Sequence, residues 1–142
     1  MSDIDLPDVN VLVALLNPRH IYHRVAQEWF ANAVSVATTP ITELGFLRVS
    51  LVPAVSGKRV QTADALASLN SLRSHERACF LPDDSSLGQA TIDLSGWAGH
   101  KQTTDLHLVN LASRHKARLV TLDQKIRPSL VPADQQKVLV LI

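Results

Sequence analysis

The sequence has 142 residues, enough for one compact domain with a continuous hydrophobic core. Its 14 Lys and Arg nearly cancel 13 Asp and Glu, so a net charge of +1 excludes a broad electrostatic pull on nucleic acid; any RNA contact must come from local patches. Cys79 is the only cysteine, which excludes an internal disulfide and leaves little scope for a Cys-based zinc site. The N-terminal MSDIDLPD carries acids where a secretory signal needs basic residues. No apolar run reaches the roughly 20 residues that span a bilayer. A cytoplasmic protein without a membrane segment is the expectation.

Hydrophobic periodicity lays out the elements in chain order. Ile4 to Leu6 reads as a first strand broken by Pro7, and Val9 to Leu16 as a turn into a short buried helix. Tyr22, Val25, Ala26, Trp29, Phe30 and Ala33 recur at helical spacing, with Arg24 and Glu28 paired on the other face. Val34 to Ala37 resembles a second strand. Thr38, Thr39 and Pro40 then open a helix from about Ile41 to Leu51, since proline is tolerated at a first helical position. Pro53 and Gly57 close that segment.

Gln61 to Ser74 reads as a further helix and Ala78 to Leu81 as a strand. Pro82 to Gly99, with its glycine turns and Trp97, suggests loops around a short helix. Thr103 to His115 is a helix with Thr103 or Thr104 as N-cap, and Arg118 to Leu122 and Val138 to Ile142 complete five strands. Strands alternating with helices imply an α/β fold, a central parallel sheet with helices on both faces, formed by residues 1–142 as a single domain. Functional groups in such sheets gather beyond the carboxyl ends of the strands. Asp8 and Asp123 each follow a strand and therefore share one edge.

Most acids here suit a hydrated surface or a cap: Asp3, Asp5, Asp64, Glu76, Asp83, Asp84 and Asp134. Four do not. Glu43 shares its helix face with Phe46, Leu47 and Ser50, and no Lys or Arg lies one turn away. Asp105 faces Leu108, Val109 and Ala112, although a first-turn acid also gains from the helix dipole. Asp8 and Asp123 close apolar strands, where a turn-forming Asp is the competing explanation. A carboxylate on an apolar face must be paired, protonated or bound to a cation. Oxygen donors suit Mg²⁺ or Mn²⁺, whereas zinc recruits His or Cys. Such a set is equipped to hydrolyse a phosphodiester with metal-activated water.

The segments LPDVNVLVALL (6–16), TPITELGFLRVS (39–50), TTDLHLVNLA (103–112) and LVTLDQKI (119–126) together resemble the PIN-domain ribonucleases, in particular the VapC-type toxins of bacterial toxin–antitoxin pairs. They span nearly the whole chain in the family's order, and TELGFLRV is close to a subfamily signature. The resemblance puts the four family acids on Asp8, Glu43, Asp105 and Asp123, as catalytic residues and as ligands of Mg²⁺ or Mn²⁺. Asn10, Thr104 and Thr121 match polar neighbours that would orient ligands and water. It further implies a three-layer PIN fold, a homodimer, endonucleolytic RNA cleavage, and neutralisation by a cognate VapB-type antitoxin. Pro7 departs from the usual first-strand residues without removing a ligand.

Other features have plainer explanations. His20 and His23 flank a helix start far from the acids, and His107 lies on another face than Asp105, toward solvent. Arg114, His115, Lys116 and Arg118 form a small basic knot at a helix end. Lys125 and Arg127, close behind Asp123, are candidates for phosphate contacts with RNA. Trp29, Phe30 and Cys79 suit core packing, with a partner groove as the second reading for the two aromatics. A phosphoacceptor receiver is disfavoured because the 41–60 region has Glu43 on a helix and no aspartate. An aspartyl phosphatase wants a second acid where Asn10 stands, and a PIN module kept for RNA binding alone would not need the full acid set.

Overall fold

A computed structural model describes residues 3–53 and 60–142. Its frame is a five-stranded parallel sheet of order β3-β2-β1-β4-β5. The strands are β1 (Ile4–Pro7), β2 (Ser35–Thr38), β3 (Ala78–Phe80), β4 (Ala117–Thr121) and β5 (Val138–Val140). The helices are α1 (Val9–Leu16), α2 (His23–Asn32), α3 (Pro40–Ser50), α4 (Thr62–Arg73) and α5 (Thr103–Arg114). This is the three-layer α/β architecture that the alternation of elements predicts. Gly57, expected to help close the segment after α3, lies outside the described residues.

Side-chain alternation along the strands assigns the two layers of helices. Leu6, Ala37, Ala117 and Leu119 point toward Leu108, Val109 and Ala112 of α5, forming one core. Val36 and Val120 point the other way, onto Val11, Ala14, Ala26 and Trp29 of α1 and α2. A third cluster joins α1 to α3 and α4 through Leu12, Val13, Phe46, Leu69 and Leu72. Gly45 of α3 is required there, because a Cβ at this position would overlap the Val9 side chain at the start of α1. Burial on both faces explains why the central strands read as continuous apolar runs.

Pro7 completes β1 rather than breaking it. The Asp8 N–H donates to the Val120 carbonyl of β4 (2.8 Å), so alternation turns Pro7's missing N–H toward β2. Registered pairs with β2 already end at Asp5↔Val36, and no ladder bond is lost.

Several boundaries differ from the sequence reading for local reasons. Val34 is 62% exposed and precedes β2, which runs on to Thr38. The cap of α5 is neither Thr103 nor Thr104 but Gln102, in the left-handed region at φ 65°, while the Thr103 hydroxyl donates to the His100 carbonyl (2.7 Å). The stretch from Pro82 to Gly99 holds only a short 3₁₀ turn, Leu87–Gln89. It is pinned by side chains, as Asn110 accepts from the Thr91 N–H (2.8 Å) and Asp134 from the Asp93 N–H (2.8 Å).

Two acids expected on the surface are buried. Asp134 is 7% exposed and meets Lys137 at 3.2 Å besides capping the Asp93 N–H. Asp5 is 4% exposed beneath α2, where it accepts from Arg118 Nε (2.8 Å) and Trp29 Nε1 (2.7 Å). Both sites are built by partners distant in sequence, which no local pattern reveals. Likewise His107 does not face open solvent: it hydrogen-bonds Asp83 (2.6 Å), and His115 and Arg114 of the basic knot hold Asp84 at 2.7 and 3.2 Å.

Candidate active site

In the order β3-β2-β1-β4-β5 the chain direction across the sheet reverses between β1 and β4, and the crevice beyond their carboxyl ends is where such folds place ligands. Asp8 is the first residue after β1, and Asp123 lies two residues after β4. Asp8 also caps α1, accepting from the Val9 N–H at 2.7 Å, so the strand-to-helix turn fixes its carboxylate. Asp105 enters from the first turn of α5. The Gln102 side chain, just before that turn, donates to the Lys125 carbonyl (3.1 Å), tying the start of α5 to the loop that carries Asp123.

These three acids feel one another's charge. Burial pushes the Asp105 carboxyl up to about 6, and the negative charges of Asp8 and Asp123 add to the rise. Asp8, 6% exposed, is also raised, by burial first and by Asp123 last, against the opposing pull of its bonds from the Val9 N–H and the Thr121 hydroxyl. No Lys or Arg bonds to Asp8 or Asp105 among the described residues.

The Thr121 hydroxyl is the hub of this edge. It donates to Asp8 Oδ2 (3.0 Å) and accepts from the Asp123 N–H (3.0 Å) and Asn10 Nδ2 (3.3 Å). Asn10 in turn accepts from the Leu122 N–H (3.1 Å), which clips α1 to the end of β4. Asp123 Oδ1 accepts from the Lys125 N–H (2.8 Å). Thr121 thus bonds Asp8 directly and Asn10 acts only through Thr121 and the Leu122 N–H, whereas Thr104 is exposed in the first turn of α5 with no bond to an acid among the described residues. Lys125 and Arg127 are exposed on the loop beyond Asp123.

Glu43 has different company. It accepts from the Thr38 hydroxyl (2.6 Å) and, through both oxygens, from Arg73 Nη1 (3.0 and 2.8 Å). Its side chain is 14% exposed, so the desolvated carboxylate suggested by the sequence is real, but its charge is answered by an arginine 30 residues away on α4. Glu43 is not among the charges that raise Asp105. Arg73 and Thr38 are the residues the sequence reading missed. Thr38, five positions before Glu43 at the end of a strand, carried a readable hint. Arg73 carried none.

The donor set consists of carboxylate oxygens that repel one another, which suits a hard divalent cation such as Mg²⁺ or Mn²⁺. Among the described residues no three His, Cys, Asp or Glu side chains form a ready-made metal cage. Asp8, Asp105 and Asp123 are therefore electrostatically coupled but not closed on a common point. The donors fit such an ion in kind, and an ion would relieve the repulsion recorded in Asp105.

Residues 6–128 match the family model of the PIN domain. Ribonuclease VapC38 of Mycobacterium tuberculosis (strain ATCC 25618 / H37Rv) is 47% identical over 120 residues, covering 83% of this chain and 84% of that protein. Ribonuclease VapC39 of the same strain is 42% identical over 128 residues, covering 87% and 91%. The crystal structure of Mycobacterium tuberculosis VapC20, a toxin described as cleaving the sarcin–ricin loop, superposes with a TM-score of 0.61. That likeness covers 89% of this chain and 96% of VapC20 at 12% identity, and carries the fold alone.

Proposed function

The chain belongs to the PIN-domain family, in its VapC-type branch, and from that premise we propose that it is a divalent-metal-dependent endoribonuclease toxin neutralised by a VapB-type antitoxin. The observation that carries the reading is the coupling of Asp8, Asp105 and Asp123 at the crevice between β1 and β4, with no Lys or Arg among the described residues bonded to Asp8 or Asp105. Carboxyls raised by burial and by one another in a cleft are candidates for chemistry.

Asp8, Asp105 and Asp123 would hold the ion, with Glu43 as a fourth carboxylate. When bound, Mg²⁺ or Mn²⁺ supplies an acidified water as nucleophile and neutralises charge on the scissile phosphate. Thr121 keeps one Asp8 oxygen in place by donating to it, and Asn10 holds the end of β4 against α1. Lys125 and Arg127 stand where they can meet flanking phosphates.

Antitoxin neutralisation rests on the relatives' type. The homodimer implied by family resemblance is open to light scattering on the purified chain.

Incubating the protein with mixed RNA in Mg²⁺ or Mn²⁺ tests the assignment, beside chelator and the Asp8→Asn and Asp105→Asn variants. Cleavage by the unaltered chain alone, and only with metal, is the expected result. Equal cleavage by all three proteins, or cleavage undiminished by chelator, would refute it.

A further inference from the structure

Arg73 is more than the counter-ion of Glu43. Only its Nη1 is spent on that carboxylate; among the described residues Nε and Nη2 donate to no side chain. The guanidinium lies 5.0 Å from the centroid of the Phe80 ring, and its side chain is 43% exposed. Phe80 is the last residue of β3, at the open edge of the sheet, and is itself 45% exposed. The outer part of the ring is therefore open to a stacking partner beside the Arg73 guanidinium.

The register ties this pair to the acids. Phe80 pairs with Thr38, whose hydroxyl donates to the Glu43 carboxylate that Arg73 grips. Phe80, Thr38 and Asp8 thus mark the ends of three adjacent strands, β3, β2 and β1. Two strand spacings, roughly 10 Å, separate the aromatic from the acid cleft. A single strand crossing that edge can lay a phosphate on the acids while its neighbours reach Arg73 and Phe80. The chemistry of the pair suits it: guanidinium N–H groups fork onto phosphate oxygens, and any base can stack on a phenyl face without a sequence requirement.

We propose that Arg73 is a substrate-positioning residue for single-stranded RNA, taking a phosphate oxygen on its unspent N–H groups, with Phe80 as the platform for the adjoining base. The proposal deepens the ribonuclease reading and rests on it. Because the guanidinium stays anchored to Glu43, it meets the strand at a fixed place, so it selects the register of the chain rather than merely attracting it.

The test measures binding of a fluorescein-labelled, mixed-sequence RNA oligonucleotide by anisotropy in chelator across a salt series. The proteins are the full chain, Arg73→Ala, Arg73→Lys, Phe80→Ala and Phe80→Tyr, each checked by thermal unfolding. Arg73→Ala should weaken binding about tenfold and flatten the salt slope by about 0.7, the share of one phosphate on a single strand. Arg73→Lys should recover the slope. Phe80→Ala should weaken binding about fivefold or more with the slope unchanged, and Phe80→Tyr should behave as the parent. In Mg²⁺, Arg73→Ala should raise KM. Parent-like affinity and slope in both alanine variants, with cleavage by the parent intact, would overturn this inference alone. A parent chain that neither binds nor cleaves RNA would overturn it together with the ribonuclease reading.

Discussion

Asp5 and Asp8 lie three residues apart on the same central strand and its exit, and they are almost equally buried, at 4% and 6% exposure. Their surroundings are opposite. Asp5 is met by the Arg118 guanidinium from the neighbouring strand and by the Trp29 indole N–H, so its charge is matched. Asp8 is met by hydroxyl and amide N–H donors and by further acids, and its carboxyl is raised. Equal burial therefore hides the difference between the two acids, which is whether a cation among the described residues meets the carboxylate.

If that contrast is sound, the two acids fail differently when removed. Asp8→Asn should lower RNA cleavage by roughly a hundredfold or more while leaving the metal-free fold intact, a split visible in activity assays beside thermal melts. Asp5→Ala should do the reverse. Stranding a half-covered Arg118 and an indole N–H costs about 2–3 kcal/mol, read as a shift of the urea midpoint, and metal affinity measured by calorimetry should stay near the parent's. Loss of metal binding in Asp5→Ala, with the fold retained, would dissolve the distinction.

A subtler cut falls on Thr121. Thr121→Val keeps the shape but removes the hydroxyl shared by Asp8, Asn10 and the Asp123 N–H, and cleavage should drop about tenfold. The smallest effect concerns protons. Asp105 is raised from 3.8 to about 6, so between those values the folded chain binds more protons than the unfolded one. Stability of the metal-free protein should therefore rise as pH falls through that window, and Asp8 acts in the same direction. Melting curves in chelator at stepped pH would show the slope, and Asp105→Asn should flatten it. Added Mg²⁺ should raise the melting temperature at pH 7 and progressively less below pH 6, where protons compete for the same oxygens.

The frame of the fold was readable because period and punctuation agree. Apolar strands end in Asp8 and Asp123, Pro40 opens α3, and the parallel order follows from alternating strands and helices. The candidate acids Asp8, Asp105 and Asp123 were legible because each closes or lines an apolar element without a Lys or Arg side chain bonded to it among the described residues. The misreadings share one physical cause: charges are balanced across the fold, not along the chain. Glu43 looked unpaired because Arg73 arrives from another helix, Asp5 looked like a surface acid because Arg118 and Trp29 come from β4 and α2, and His107 looked solvated because Asp83 lies on a distant loop. Backbone strain is equally silent in sequence, and Gln102 at φ 65° displaced both threonines expected to cap α5.

The glycine in the ELGF segment has a consequence that reaches beyond packing. With no room between Gly45 and Val9, the helix that bears Glu43 and the turn that bears Asp8 sit at their closest approach. A lineage that enlarges position 45 must trim position 9 at the same time, so DVNV and ELGF should be inherited as a matched pair. Chimeras that exchange only one of the two segments between relatives should lose the alignment of their carboxylates even though every acid is still present.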